Sequence, residues 1–280
     1  MAKTKIDWCD ESVNFITGCR GKCSFCYAKG TAARNARMGA ARYVEVEECT
    51  GDPFHPTYHH HIMLRELERL DRATKARIVF LGSMSDPANP GPWLYLDGTG
   101  RGGSHQEAAD TWVQEMLVAF AAKLPRHRFV LLTKRPDNLL QGPWPSNVCL
   151  GVSVTSNDDA SRIRELQERV YISRGGPLLG VSVEPLMDPD FDEDFFLRGL
   201  DWVIVGAQTG RGSKKLDRIV GWEREDGDAQ DKTLGQFIAG AAARIADRCA
   251  REKMPCFIKD NLIRHDPDRD WPRQYPAGWR

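Results

Sequence analysis

Seven short apolar runs that contain β-branched residues recur along the chain, separated by longer segments with helical periodicity. The runs are 13–17, 78–82, 128–133, 148–154, 178–183, 202–206 and 255–258. Such alternation is typical of βα units around a parallel sheet, and the continuous apolar character implies strands buried on both faces. The sequence therefore predicts an α/β fold, a partial or full (βα) barrel of the TIM type.

The length of the chain suits one such barrel. At 280 residues it fits a single (βα) core, so we expect one domain over 1–280. Helices are predicted at 57–75, 104–123, 156–169 and 233–253, and two glycine-rich or polar stretches, 89–103 and 209–232, are predicted as loop excursions. Thr233 and Gln236 have the spacing of a capping box, as do Ser104 and Glu107.

Composition narrows the class of protein. Lys plus Arg and Asp plus Glu both number 39, so no global field attracts the protein to nucleic acid or to an anionic membrane. No apolar stretch reaches the roughly 18 residues that span a bilayer, and the first residues lack the apolar core of a signal peptide. We expect a cytoplasmic protein, in which the eight cysteines are mostly reduced and favour metal ligation over disulfides.

Polar residues follow each predicted strand. They are Gly18 and Cys19, 83–86, Lys134 and Arg135, 155–158, Glu184 and Pro185, 208–210, and 259–261. In a parallel barrel the carboxyl ends of the strands share one mouth, where active sites of such folds are built. This pattern predicts one site at that mouth, although polar residues also mark strand ends simply because loops contact water.

Three cysteines after the first strand carry the most specific signal. Cys19, Cys23 and Cys26 have the spacing CxxxCxxC, with Gly18 and Gly21 allowing the backbone to turn around a bound group. A closed zinc site needs four ligands, whereas three thiolates on a four-iron cluster leave one iron open for a small molecule. A zinc site completed by Cys9 or a histidine remains the alternative.

The cysteine loop, with Phe25 before its last cysteine, resembles the signature of the radical S-adenosylmethionine superfamily. More of the chain is similar to its phage Gp37/Gp68-like branch, in the segments 6–8, 82–86, 132–136, 150–154, 182–186 and 201–206. The resemblance implies a radical SAM core with a 4Fe-4S cluster on Cys19, Cys23 and Cys26. It also implies S-adenosyl-L-methionine on the open iron, cleaved to a 5'-deoxyadenosyl radical that abstracts hydrogen from a substrate.

The resemblance also assigns roles at the strand ends. The expected cofactor-binding residues are Ser83, Met84 and Ser85 at the methionine amino group, Lys134 or Arg135 at an anion, Ser153 and Thr155 at the ribose, and Gln208. The expected catalytic or substrate-side residues are Glu184, Asp86 and Lys259. After Gly206 the chain departs from the pattern, because Ala207 and Gln208 replace an expected glycine and acidic residue.

The reaction class remains open among a lyase, an isomerase and another modifying enzyme. The phage-like resemblance and the basic stretch of Lys29, Arg34, Arg37 and Arg42 favour a nucleotide or a modified DNA base over other small molecules, although a basic stretch is more often a solvated helix face.

The expected partner is an electron donor such as flavodoxin or ferredoxin, in the host cytoplasm if the chain is phage-encoded. The oligomeric state is not predicted. Two rivals are a non-enzymatic zinc-binding barrel and a cluster-free hydrolase using Asp86 and Glu184.

Overall fold

The computed structural model describes residues 4–99, 106–170, 175–193, 198–223 and 229–280. They form two compact units, one of residues 1–151 with 165–178 and one of residues 152–164 with 179–280. In the first unit the elements are β1 (Glu11–Val13), β2 (Ile16–Thr17), α1 (Tyr27–Arg37), α2 (Ala41–Thr50), β3 (Thr57–His59), α3 (His60–Asp71), β4 (Ile78–Leu81), β5 (Trp93–Leu96), β6 (Gln106–Ala108), α4 (Asp110–Lys123) and β7 (Arg128–Thr133).

The later elements follow in the same alternation. They are β8 (Val148–Val154), α5 (Ser161–Arg169), β9 (Leu178–Val183), β10 (Trp202–Val205), β11 (Ile219–Glu223), β12 (Ala229–Thr233), α6 (Leu234–Arg251), β13 (Cys256–Ile258) and α7 (Asp260–Ile263). Strand β8 and helix α5 are each divided between the two units. Short 3-10 helices lie at Pro136–Asn138, Asn157–Asp159 and Gly210–Lys215.

The first unit contains the parallel strands β1, β4 and β7, with β8 next to β7 in the sheet. Glu11 pairs with Val79, and Ile78 pairs with Arg128. Strand β8 is buried along its whole length, as expected for a strand covered on both faces. The rings of Phe15, Phe120 and Phe129 pack together beneath this sheet, with centroids 4.9 and 5.8 Å apart.

In the second unit the strands lie in the order β8, β9, β10 and β13, and β10 is parallel to both of its neighbours. Helix α6 buries the alanine and isoleucine side chains that recur along one of its faces, Ile238, Ala242 and Ile245 among them. Parallel strands alternating with helices confirm the predicted α/β fold class.

A second, smaller sheet in the first unit was not predicted. Strand β2 is antiparallel to β3, β3 is parallel to β5, and β5 is antiparallel to β6. The predicted strand 13–17 is therefore wrong as one element, because the chain breaks at Asn14 between β1 and β2. The side chain of Asn14 accepts hydrogen bonds from the Ser83 hydroxyl and the Met84 N–H, which draws the chain out of the first sheet.

Several further boundaries differ from the prediction, among them the start of α5 at Ser161 instead of 156. Residues Thr57–His59 are a strand, and the helix predicted from 57 begins at His60. Glu107 lies in β6 and the following helix begins at Asp110, while Ser104 lies outside the described residues. The excursion 89–103 contains β5, and the excursion 209–232 contains β11 with most of β12. None of the described helices combines the length and apolarity that crossing a bilayer requires.

The capping box of α6 generates a stability prediction. The Thr233 hydroxyl accepts the Gln236 N–H at 3.2 Å, and the Gln236 side chain accepts the Thr233 N–H at 2.9 Å. Thr233→Ala should lower the free energy of unfolding by about 1 kcal/mol, because it leaves a helix-terminal N–H without its acceptor. Urea unfolding measures the change. Thr233→Ser retains the acceptor and should restore most of the loss; equal losses for both variants would contradict the capping role.

Candidate functional site

The cysteine loop begins at Gly18, where a left-handed backbone conformation and a close neighbour both favour glycine. Gly18 has a φ of +79°, and a Cβ atom there would lie 2.1 Å from the carbonyl oxygen of His55. Its N–H donates to the carbonyl of Met84 at 2.9 Å, and its carbonyl accepts the Ser85 hydroxyl at 2.6 Å. These bonds attach the start of the loop to the residues that follow β4.

Three residues that the sequence analysis did not select complete this attachment. Asn14 holds Ser83 and Met84, as described above, and the Tyr27 hydroxyl donates to the Ser83 carbonyl. Asn89 is fully buried, and its side-chain oxygen accepts the N–H of Arg20 at 2.7 Å. Of these three residues, only Asn14 had a signal in the sequence, because it interrupts the apolar run 13–17.

The three thiols lie in the loop that leads into α1, and Cys26 is the N-cap of that helix. The Gly21 N–H donates to the Cys19 Sγ at 3.1 Å, and the Lys29 N–H lies 3.5 Å from the Sγ of Cys26, the N-cap residue. A Cβ on Gly21 would lie 3.1 Å from the Cys19 Sγ and 3.9 Å from the Cys23 Sγ. Backbone N–H donors and a helix N-terminus both favour negative charge on sulfur.

These features fit an iron–sulfur cluster. Cys19, Cys23 and Cys26 are free and partly exposed, and Gly21 leaves space between two of their sulfurs. Within the described residues, no three His, Cys, Asp or Glu side chains are grouped around a point where a single metal ion would bind. Each thiolate of a cluster binds a different iron, so its sulfurs do not need to converge on one point. Cys9, the candidate fourth zinc ligand, is buried, and its thiol lies 3.8 Å from the carbonyl oxygen of Ile6.

The thiol of Cys19 is strongly held in its protonated form. Burial, and after it the Asp86 carboxylate, raise the pKa of Cys19, which is about 11. The Gly21 N–H and the Arg135 guanidinium act in the opposite direction, and Cys23 adds a small increase in the pKa. Metal binding to this thiol must therefore release a proton.

Asp86 connects the end of β4 to the end of β7. It is 7% exposed; one carboxylate oxygen accepts the Thr133 hydroxyl at 2.6 Å and the Ala88 N–H at 3.0 Å, and the other accepts the Lys134 N–H at 3.0 Å. The Nζ of Lys134 lies 5.9 Å from the centre of the Phe25 ring. The first unit thus brings together the following expected site residues: Cys19, Cys23, Cys26, Ser83, Met84, Ser85, Asp86, Lys134 and Arg135.

The second unit brings Glu184 and Lys259 together in an ion pair at the ends of β9 and β13. Both side chains are largely shielded from solvent, with 25% and 12% exposed. A Cβ atom on Gly206 would lie 2.8 Å from the Lys259 Cδ and 3.0 Å from the Glu184 Cδ. Gly206, which follows β10 directly, therefore provides the space that this pair occupies.

The remaining expected residues also lie in the second unit. The N–H and hydroxyl of Thr155 both donate to one oxygen of Asp159 at 2.8 Å, and the carbonyl of Ser153 accepts from Arg162 at 2.9 Å. Gln208 is half-buried and follows Ala207. The side-chain amide of Asn261 bonds to both the N–H and the carbonyl of Ala207, at 3.1 and 2.7 Å. Sequence reasoning missed Asp159 and Asn261 in these supporting roles.

Comparisons with known proteins relate this chain to one family and one solved structure. The sequence model of a family described as "Protein of unknown function (DUF5131)" matches residues 3–95 and 100–237. The fold is similar to that of a spore photoproduct lyase mutant with bound AdoMet and a dinucleoside spore photoproduct. The superposition has a TM-score of 0.53 at 13% identity and covers 92% of this chain and 78% of that chain. No curated protein matches the sequence.

Gly206→Ala tests the space that the ion pair occupies. The added methyl group would displace Lys259 or Glu184, and we expect a loss of about 1–3 kcal/mol in the free energy of unfolding from overpacking. Gly240→Ala is the matched control, because a Cβ there meets nothing within 4 Å and should add about 0.5–1 kcal/mol on an exposed helix. Chemical denaturation compares the two; equal gains in stability would contradict the crowding around Gly206.

The raised pKa of Cys19 predicts how this thiol reacts in cluster-free protein. Alkylation by iodoacetamide requires the thiolate, so its rate at Cys19 should keep rising as the pH approaches about 11. An ordinary cysteine instead reaches half of its maximal rate at a pH of about 8.5. Peptide mass spectrometry after timed labelling measures the rate at each pH, with the unfolded protein as control. A half-maximal rate at a pH of about 8.5 in the folded protein would contradict the effect of burial.

Proposed function

We propose that this chain, which belongs to the DUF5131 family, is a radical S-adenosylmethionine enzyme that holds a 4Fe-4S cluster on Cys19, Cys23 and Cys26. The observation that carries the proposal is the attachment of a three-cysteine loop to the end of β4 in a parallel sheet. The likeness of the fold to a protein with bound AdoMet supports the same class. When bound, the cluster and S-adenosylmethionine would supply the radical that abstracts hydrogen from the substrate.

The residues of the first unit hold the cofactor in this proposal. The carbonyl of Ser83 and the hydroxyls of Ser83 and Ser85 offer acceptors beside the cysteine loop for the amino group of the methionine moiety. Met84 belongs to the buried apolar cluster against which Cys19 and Cys26 pack. Lys134 and Arg135 provide positive charge for a carboxylate. Asp86 acts as a positioning residue, since both of its oxygens already accept hydrogen bonds.

One pair of side chains within the second unit is suited to proton transfer. Lys259 holds a proton on Nζ next to the carboxylate of Glu184, so the pair can donate a proton to a substrate or accept one from it. Both residues are partly buried, which strengthens their electrostatic effect on a bound group. The roles of Ser153, Thr155 and Gln208 in cofactor binding stay predictions from the sequence. Hydrolysis by Asp86 and Glu184 is less well supported, because Asp86 is fully engaged within the fold.

For the substrate we propose a nucleotide or a modified DNA base. The dinucleoside bound to the structurally similar lyase supports this class. We further propose a cytoplasmic enzyme that receives electrons from a carrier such as flavodoxin or ferredoxin. The outcome of hydrogen abstraction is a rearrangement, a cleavage or another modification.

Replacement of single cysteines tests the proposal. Cys19→Ser, Cys23→Ser and Cys26→Ser should each lose most bound iron and sulfide after anaerobic reconstitution, because each removes one of three ligands. With dithionite and S-adenosylmethionine, these variants should form no 5'-deoxyadenosine above the level without enzyme. Iron and sulfide analysis, electron paramagnetic resonance and chromatography provide the measurements.

The matched control is Cys49→Ser, which changes a partly exposed cysteine of α2 outside the motif. It should assemble the cluster and form 5'-deoxyadenosine as the unchanged protein does. Colourless protein with one bound zinc ion would favour the zinc-binding alternative, and colourless metal-free protein would favour a cluster-free enzyme. Either result in carefully reconstituted protein would overturn the proposal.

A further inference from the structure

An uninterrupted run of positive charge surrounds the cysteine loop. Residues 12–44 contain no Asp or Glu, and their cations are Arg20, Lys22, Lys29, Arg34, Arg37 and Arg42. All of these except Arg42 are exposed. The acidic residues of α2 begin only at Glu45.

The charges of this run are not neutralised locally. In the described part of the chain, no carboxylate oxygen lies within 4.0 Å of the cationic groups in this run. On α3 and just beyond it, Arg65, Arg69, Arg72 and Arg77 all form ion pairs with glutamates. The field of the run therefore extends into solvent, where it can attract an acidic partner.

Helix α1 combines this charge with exposed apolar surface. It buries Ala28, Ala32 and Ala36, and the opposite face carries Tyr27, Arg34 and Arg37. Tyr27 is 56% exposed, and Met38, which follows the helix, is 76% exposed. Arginine, methionine and aromatic residues are enriched at protein–protein interfaces. This composition favours an acidic protein over a nucleic acid as the partner.

We propose that the cysteine loop and α1 form the docking surface for a small acidic one-electron carrier protein. The inference rests on the proposed function, because Cys26 is the N-cap of α1 and the docked carrier would lie beside the cluster ligands. Each transfer would oxidise the carrier by one electron and reduce the cysteine-held cluster by one electron, with no movement of atoms. The charges would steer the encounter, and the exposed side chains of Tyr27 and Met38 would provide apolar contact.

The test measures binding of a bacterial flavodoxin to the reconstituted protein by biolayer interferometry. Arg34→Glu with Arg37→Glu should weaken binding by about tenfold or more and reduce its dependence on salt. Arg34→Gln with Arg37→Gln should give a smaller loss, and this second variant avoids placing acidic residues in the last turn of α1. Thermal unfolding verifies that each variant is folded.

The matched control changes the same number of charges at the opposite end of β4. Lys75→Glu with Lys123→Glu alters two exposed lysines, one before β4 and the other at the end of α4, and should leave flavodoxin binding within about twofold. All variants should form 5'-deoxyadenosine normally with dithionite, whereas flavodoxin-driven formation should fall only in the α1 variants. If the unchanged protein forms no 5'-deoxyadenosine with dithionite, the proposed function itself fails.

Three outcomes would overturn the docking surface. Flavodoxin could bind the α1 variants as tightly as the unchanged protein, or both double charge reversals could weaken it equally, which would indicate a nonspecific effect of net charge. Alternatively, a short duplex DNA could bind in a manner that depends on Arg34 and Arg37 while flavodoxin does not bind. That result would assign the surface to a nucleic acid.

Discussion

The hydrogen bonds between Gly18 and the residues after β4 determine where the cysteine loop starts. Gly18 donates to Met84 and accepts from Ser85, and the approach of His55 leaves no space for a side chain. Each such bond contributes only about 1 kcal/mol of net stability, yet together they fix the loop at one place. The thiol of Cys19 and the polar groups of Ser83 therefore share one environment, on which every cofactor assignment in the first unit depends.

Buried polar residues around the loop support it without being available for chemistry. The half-buried Asn14 and the buried Asn89 and Asp86 accept hydrogen bonds from backbone N–H groups and hydroxyls, which offsets the cost of burying them. The Asp86 carboxylate already accepts three hydrogen bonds and is buried, so a substrate has little access to it. The groups with remaining capacity are the cations Lys134 and Arg135, together with the Glu184–Lys259 pair in the other unit. The supporting and reacting roles are thus separated among different residues.

The sequence predicted those parts of the structure that depend on local pattern. The strands 128–133, 148–154 and 178–183 have the predicted bounds, and the capping box at Thr233 is formed, because burial and helix capping depend on neighbouring residues. Strand β5 was missed because prolines and glycines flank it and its partner β3 lies far away in sequence. The space that Gly206 provides for Lys259 was likewise unpredictable, since three distant strand ends create it.

For charge as well, the arrangement of neighbouring residues matters more than the total for the chain. The equal totals of 39 cationic and 39 acidic residues indicate that the whole chain has no net field. Charges more than about 8 Å apart are screened at physiological salt, however, so a partner responds to the nearest residues rather than to the total. Six cations without an acidic residue among them, beginning at the cysteine loop, make the local field positive although the sum is zero. Any protein or phosphate that approaches the cysteine loop therefore meets a basic surface first.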